Sequence, residues 1–210
     1  MNTLEDLVKI PSGKAVIEGA LVLPEQAKGL VLFAHGSGSS RHSPRNNFVA
    51  RVLNGRGLGT LLMDLLTPEE DKTYETRFDI SLLTQRLLLA TEWVRQQTAI
   101  RSLPLGYFGA STGAAAALKA AAAEPSIRAV VSRGGRPDLA GNDLSRVNTP
   151  VLLIVGGDDH DVIELNEDAF AKLRSIKELA IVPGATHLFE EPGTLEEVAR
   201  IAADWLEKHL

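Results

Sequence analysis

Residues 104–123 read PLGYFGASTGAAAALKAAAA, and the rest of the chain can be organised around them. The apolar run Pro104–Phe108 leads directly into Gly109-Ala110-Ser111-Thr112-Gly113. From Ser111 to Ala123 the residues are mostly alanine, the best helix former, and the run stops before Pro125. The stretch therefore predicts a strand, a sharp turn and a helix. G-x-S-x-G in that setting holds a serine on a strained turn at the end of a strand. The flanking glycines have a physical task, because side chains there would collide with the adjoining strand and helix. The turn lifts the hydroxyl above the strand end, beside a helix N-terminus that favours developing negative charge. The plainer reading makes Ser111 only an N-cap on a glycine-bearing helix start.

Outward from this turn, short runs rich in Val, Leu and Ile alternate with longer amphipathic stretches. Strands are predicted at Ala15–Leu23, Leu30–Ala34, Gly59–Met63, Ile127–Ser132, Val151–Val155 and Leu179–Val182. Helices are predicted at Phe78–Gln97, Val162–Ser175 and Thr194–His209, the last opening on Thr194 and Glu197 at capping-box spacing. Such alternation argues an α/β protein, a mostly parallel central sheet with helices on both faces. The first run ends at Pro24 and is soon followed by Leu30–Ala34, which suggests an antiparallel hairpin at the start. No linker or internal repeat interrupts the chain, so residues 1–210 read as one domain. Only Arg133–Pro150 separates two late strands, too short a connection for a helical cap domain.

A serine hydroxyl needs a base beside it. The chain has five histidines: His35, His42, His160, His187 and His209. His187 follows the last predicted strand in Gly184-Ala185-Thr186-His187. In a parallel sheet that loop emerges at the same edge as Ser111. His209, at the extreme C-terminus, is expected in solvent. An acid must orient the imidazole. The loop Gly156-Gly157-Asp158-Asp159-His160-Asp161 offers three on the correct edge, with Asp161 also suited to cap the next helix. An oxyanion site needs two N–H donors. The backbone of Thr112 supplies one, and that of Ser37, in the small-residue loop His35-Gly36-Ser37-Gly38, supplies the other. This loop lacks the Lys-Ser/Thr of a phosphate-binding loop and the glycine spacing of a dinucleotide fingerprint. Arg133 and Arg136, after a strand on this edge, and Arg41, Arg45, Asn46 and Asn47, after the oxyanion loop, are candidates for binding an anionic substrate, and His42 is a candidate for lining the site. The competing reading pairs the arginines of these loops with local acids such as Asp64, Glu69 or Asp138.

Composition narrows the classes. With 44% hydrophobic and 23% charged residues the chain is ordinary for a globular protein. Its net charge of -5 lacks the basic footprint of nucleic-acid binders. The absence of cysteine removes disulfides, thiolate metal sites and a cysteine nucleophile, and fits a cytoplasmic setting. Residues 1–10 alternate charged and apolar types, unlike a signal peptide, and no apolar run approaches a membrane span.

Four segments together resemble the small α/β hydrolases of the dienelactone-hydrolase-like group. They are the His35–Gly38 loop, the Gly109–Gly113 turn, the Gly156-x-x-Asp159-x-x-Val162 turn and Gly184-x-x-His187. The resemblance implies the α/β-hydrolase fold and hydrolysis of carboxylic esters through an acyl-enzyme, with no metal or organic cofactor. It points to Asp159, rather than Asp158 or Asp161, as the acid beside Ser111 and His187. Dienelactone hydrolases themselves use a cysteine nucleophile, so a lactone substrate does not carry over. The expected partner is a small ester. The rivals are transfer of the acyl group to another acceptor or a thioester substrate, and a non-catalytic binding module on the same fold.

Overall fold

The computed structural model describes residues 3–13 and 15–210. Its strands are β1 (Thr3–Ser12), β2 (Ala15–Pro24), β3 (Gly29–Ala34), β4 (Leu58–Met63), β5 (Leu105–Ala110), β6 (Ile127–Arg133), β7 (Val151–Gly156) and β8 (Lys177–Val182). Its helices are α1 (Pro44–Gly55), α2 (Ile80–Gln96), α3 (Thr112–Ala123), α4 (His160–Lys172) and α5 (Thr194–His209). The strands form one sheet in the order β1-β2-β4-β3-β5-β6-β7-β8. From β4 to β8 every pairing is parallel. Only β1 and β2 run antiparallel to their neighbours. This is the α/β-hydrolase fold, with no separate cap domain among the described residues.

The sheet's position in the core follows from its sequence. Strands β3, β4, β5 and β7 are buried at every residue, as apolar runs covered on both faces must be. Val49 and Leu53 of α1 pack with Val198, Ala202 and Leu206 of α5 on one face, around Phe33 and Phe108, whose rings stack at 4.8 Å. On the other face Leu83 and Leu87 of α2, Ala116 and Ala117 of α3, and Ala169 of α4 pack over Leu32, Tyr107 and Leu153. Small alanines let α3 lie close against the central strands, where it carries the serine turn. Between β6 and α4, the segment Pro137–Arg146 forms short 3-10 turns broken at Gly141.

Three expectations are corrected, and two elements form where none was assigned. The opening hairpin is β1 with β2, while β2 pairs with β4 and leaves β3 to the parallel block. Strand β1 escapes a reading by apolar runs because it is an edge strand, exposed over most of its length. Helix α1, unassigned from sequence, starts from Ser43, whose hydroxyl accepts the amide of Asn46, with Pro44 at the first helical position. No capping box forms at α5. Gly193 is the cap residue, with φ 84°, and the Thr194 hydroxyl donates to the carbonyl of Glu191. His209 does not stand free in solvent; its ring packs on Trp205, centroids 4.4 Å apart.

Candidate active site

Ser111 sits between β5 and α3 with φ 50° and ψ -121°, a conformation L-residues avoid. Its neighbours impose that conformation. The Ser111 amide donates to the Arg133 carbonyl at 3.3 Å, and its carbonyl accepts from the amide of Arg136 at 3.1 Å. The turn tolerates no side chains at its ends. A β-carbon at Gly109 would fall 2.5 Å from Cα of Ala114, and one at Gly113 would fall 2.1 Å from the carbonyl oxygen of Ala34. The serine side chain is half-buried, and Thr112 behind it is buried. The Thr112 amide lies in the first turn of α3, among the helix's orphan donors.

The loop after β3 closes over the serine from the other side. A β-carbon at Gly36 would meet Cβ of Ser111 at 2.9 Å, so only glycine admits the loop this close. Ser37 is exposed at the tip of a turn in which the Ser39 amide donates to the Gly36 carbonyl at 3.2 Å. His35, which sequence reasoning quoted only as part of this loop, anchors it. Its Nδ1 donates to the Gly36 carbonyl at 2.9 Å, and its Nε2 accepts the amide of Leu65 at 3.0 Å. The second bond requires an unprotonated Nε2. Burial agrees, pushing the His35 pKa below its ordinary value against the opposing pull of the Gly36 bond and the acids Asp64 and Asp71. A hollow of about 200 Å³ lies beside this loop, lined by His35, Ser39, Asp64, Leu66, Thr67 and Asp71.

The acid and the histidine follow the ends of β7 and β8. Nδ1 of His187 lies 2.7 Å from Oδ2 of Asp159. Asp159 occupies the N-cap position of α4, yet its side chain makes no capping bond and turns to the imidazole instead. Asp161, expected as the cap, lies inside the first turn, exposed like Asp158. The two turns are knitted together: the amide of Asp158 donates to the carbonyl of Ala185 at 2.9 Å, and that of Gly157 to Val182 at 2.8 Å. A β-carbon at Gly156 would fall 2.3 Å from the Ala185 carbonyl, so the approach again needs glycine. Gly134 brings the histidine to the serine side. A β-carbon there would lie 3.6 Å from Cε1 of His187, and the preceding residue, Arg133, is the one that accepts the Ser111 amide. Among the described residues the Ser111 hydroxyl makes no hydrogen bond, to His187 or any other group. Such contacts often close only when substrate is present.

The arginines expected near substrate separate into two kinds. Arg41 is committed to Asp64, through its backbone amide at 2.8 Å and its guanidinium, and to Glu18 at 2.7 Å. Arg136 forks onto Asp138 at 2.9 and 2.8 Å. These are the local pairings, and for Arg41 they replace the expected substrate contact. His42 is exposed, its ring without a hydrogen bond. Arg133 is buried, and its Nη2 donates to Oδ1 of Asn46 at 3.0 Å. No cluster of three or more metal-ligating His, Asp or Glu residues occurs among the described residues. Among those residues, no helix is long and apolar enough to cross a membrane.

A strained serine between two glycines, an Asp–His pair at the adjoining strand ends, and the sheet that carries them define an α/β hydrolase. The family model described as "Dienelactone hydrolase family" matches residues 17–210, and the chain belongs to that family. The crystal structure of a dienelactone hydrolase from Anabaena variabilis superposes with a TM-score of 0.97 at 54% identity, covering 99% of both chains. A Mycobacterium tuberculosis (strain H37Rv) protein provisionally named a phosphoribosyl transferase is 57% identical over 208 residues, 98% of this chain and 47% of its own length. The chain thus spans about half the length of the curated relatives it matches. An esterase domain from a Rhodothermus marinus protein shares the fold, with a TM-score of 0.80 at 19% identity over 100% of this chain and 99% of that one.

Proposed function

We propose that this hydrolase cleaves small carboxylic esters through an acyl-enzyme, with Ser111 as nucleophile, His187 as general base and Asp159 as the orienting acid. The Asp159–His187 contact of 2.7 Å carries the reading. An ionised acid on Nδ1 sets the tautomer that leaves Nε2 able to accept a proton from the serine. The Ser111 hydroxyl then attacks the ester carbonyl, and the amides of Ser37 and Thr112 hold the oxyanion. His187 passes its proton to the departing alcohol and activates water to release the acid. Only the short segment between β6 and β7 stands where a helical cap would be inserted, which leaves little apolar surface to bury a long chain and favours short acyl groups.

Phosphoribosyl transfer is not carried over from the Mycobacterium relative. The name belongs to a protein of which this chain spans 47%, and the hydrolase family model occupies residues 17–210 here. A fluorophosphonate probe tests the proposal directly. Labelling of the wild-type chain but not of Ser111→Ala is expected. A folded wild-type chain that neither labels nor turns over any of a panel of short esters refutes the esterase and leaves a binding module.

A further inference from the structure

Two arginines in this fold are buried to 5% exposure. Arg86 has its counter-ion, Glu70, at 2.5 Å. Arg133 has no carboxylate partner among the described residues. Its Nη2 is held by the neutral Asn46, its Nε is enclosed without an acceptor, and its guanidinium lies over the Phe189 ring with Cζ 5.9 Å from the centroid. A second guanidinium makes matters worse. Burial first, and then the charge of Arg45, push the Arg133 pKa down to about 10. It remains a cation at neutral pH. Arg45 also has an enclosed Nε without an acceptor, and its one ion pair among the described residues is a 3.2 Å contact from Nη1 to the exposed Glu190. An exposed pair of that kind contributes little and gives way readily. A buried, uncompensated cation is costly, and a fold that keeps one marks a place for an anion.

The backbone of Arg133 adjoins the reaction centre, and its guanidinium lies over a residue close to His187 in the chain. The Arg133 carbonyl accepts the Ser111 amide, Gly134 next to it packs on His187, and Phe189 is two residues beyond His187. We propose that Arg133 and Arg45 form a subsite for a phosphate group carried by the ester substrate, with Asn46 orienting Arg133 and Glu190 releasing Arg45 as the phosphate enters. Arg133 is held by Asn46 and Phe189 and Arg45, which adjoins Asn46 in the chain, by Glu190; together the two guanidinium groups offer more donors than the two oxygens of a carboxylate can use. A phosphate monoester brings three terminal oxygens and close to two negative charges, matching two arginines once Glu190 swings away. The subsite names the substrate class of the esterase proposed above and rests on that reading only for what it places beside Ser111.

Calorimetric titration of inorganic phosphate into the full chain carrying Ser111→Ala tests it without turnover. Saturable binding is expected, with acetate at least about tenfold weaker and with the phosphate affinity falling about tenfold on adding Arg45→Gln, the loss of one charge-assisted contact. Arg45 is partly exposed, so this variant tests the subsite even if Arg133→Gln fails to fold. In the wild-type chain phosphate should slow fluorophosphonate labelling of Ser111, and in Arg45→Gln it should slow it much less. Absence of saturable binding, equal affinity with and without Arg45, or acetate binding as tightly as phosphate overturns the phosphate subsite. An active esterase whose Ser111→Ala form ignores phosphate refutes the subsite alone. A chain that binds phosphate through Arg45 but hydrolyses no ester refutes the esterase alone.

Discussion

His35 after β3 and His187 after β8 stand at the same edge of the sheet and are put to opposite uses. His35 is 6% exposed, and both ring nitrogens are occupied by backbone groups. It can neither gain nor lose a proton without breaking a bond that holds the loop. The side chain of His187 is 39% exposed, with one nitrogen on a carboxylate and no hydrogen bond on the other among the described residues. A base must keep one nitrogen able to take a proton, and it must be reachable by the group that gives it. The contrast teaches that a histidine at a catalytic edge is read by what its second nitrogen touches. His35 clamps the loop that carries the Ser37 amide, while His187 is left available for chemistry.

The largest effects should separate these roles most sharply. Ser111→Ala and His187→Gln are expected to lower kcat for a short ester by about 10⁴-fold or more, each about as much as the two together, since they act as one unit. Asp159→Asn is expected to cost about 10³–10⁴-fold in kcat by presenting the wrong tautomer. Asp158→Asn and Asp161→Asn, at exposed positions, should stay within about twofold, the scale of surface substitutions. Steady-state kinetics on the five single variants and the Ser111→Ala/His187→Gln double variant checks the set. Equal losses at Asp158 and Asp159 would break the assignment of the acid.

The candidate site was legible because its devices are local. A strand, two glycines and a serine, or a strand followed within a few residues by His187, are patterns a single stretch of sequence displays. The seven strands assigned from apolar runs all form, with ends shifted by a residue or two. What escaped depends on partners distant in the chain. Strand β1 is defined by its pairing with β2, since its own residues alternate charged and apolar without a buried run. Helix α1 buries Val49, Ala50 and Leu53, with Phe48 and Val52 packed beside them, in a stretch interrupted by Arg and Asn. The clamp role of His35 needs the amide of Leu65, 30 residues away, and the burial of Arg133 needs Asn46, 87 residues away. Neither is visible until the sheet brings them together. Among the three acids after β7, spacing alone left the choice open. The 2.7 Å contact to His187 distinguishes Asp159.

The smallest effect sharpens the comparison from the side of the clamp. His35→Leu removes the acceptor for the Leu65 amide and leaves it buried, at a cost of about 1–3 kcal/mol, measurable by urea unfolding. Loosening the loop that carries Ser37 should also lower kcat by about tenfold while KM changes less, because the oxyanion exists only after attack. The pH dependence is diagnostic. Burial lowers the folded-state pKa of His35 below the ordinary value of 6.5. Between that lowered value and 6.5 the unfolded chain holds a proton that the folded chain does not. The contribution is therefore fully present above pH 6.5 and is lost as the pH falls from 6.5 through the lowered value. Wild-type stability should decline with acidification across that window, and His35→Leu should decline less steeply. Parallel pH profiles for wild type and His35→Leu would mean that His35 titrates as freely as an exposed histidine, and the distinction between clamp and base would fail.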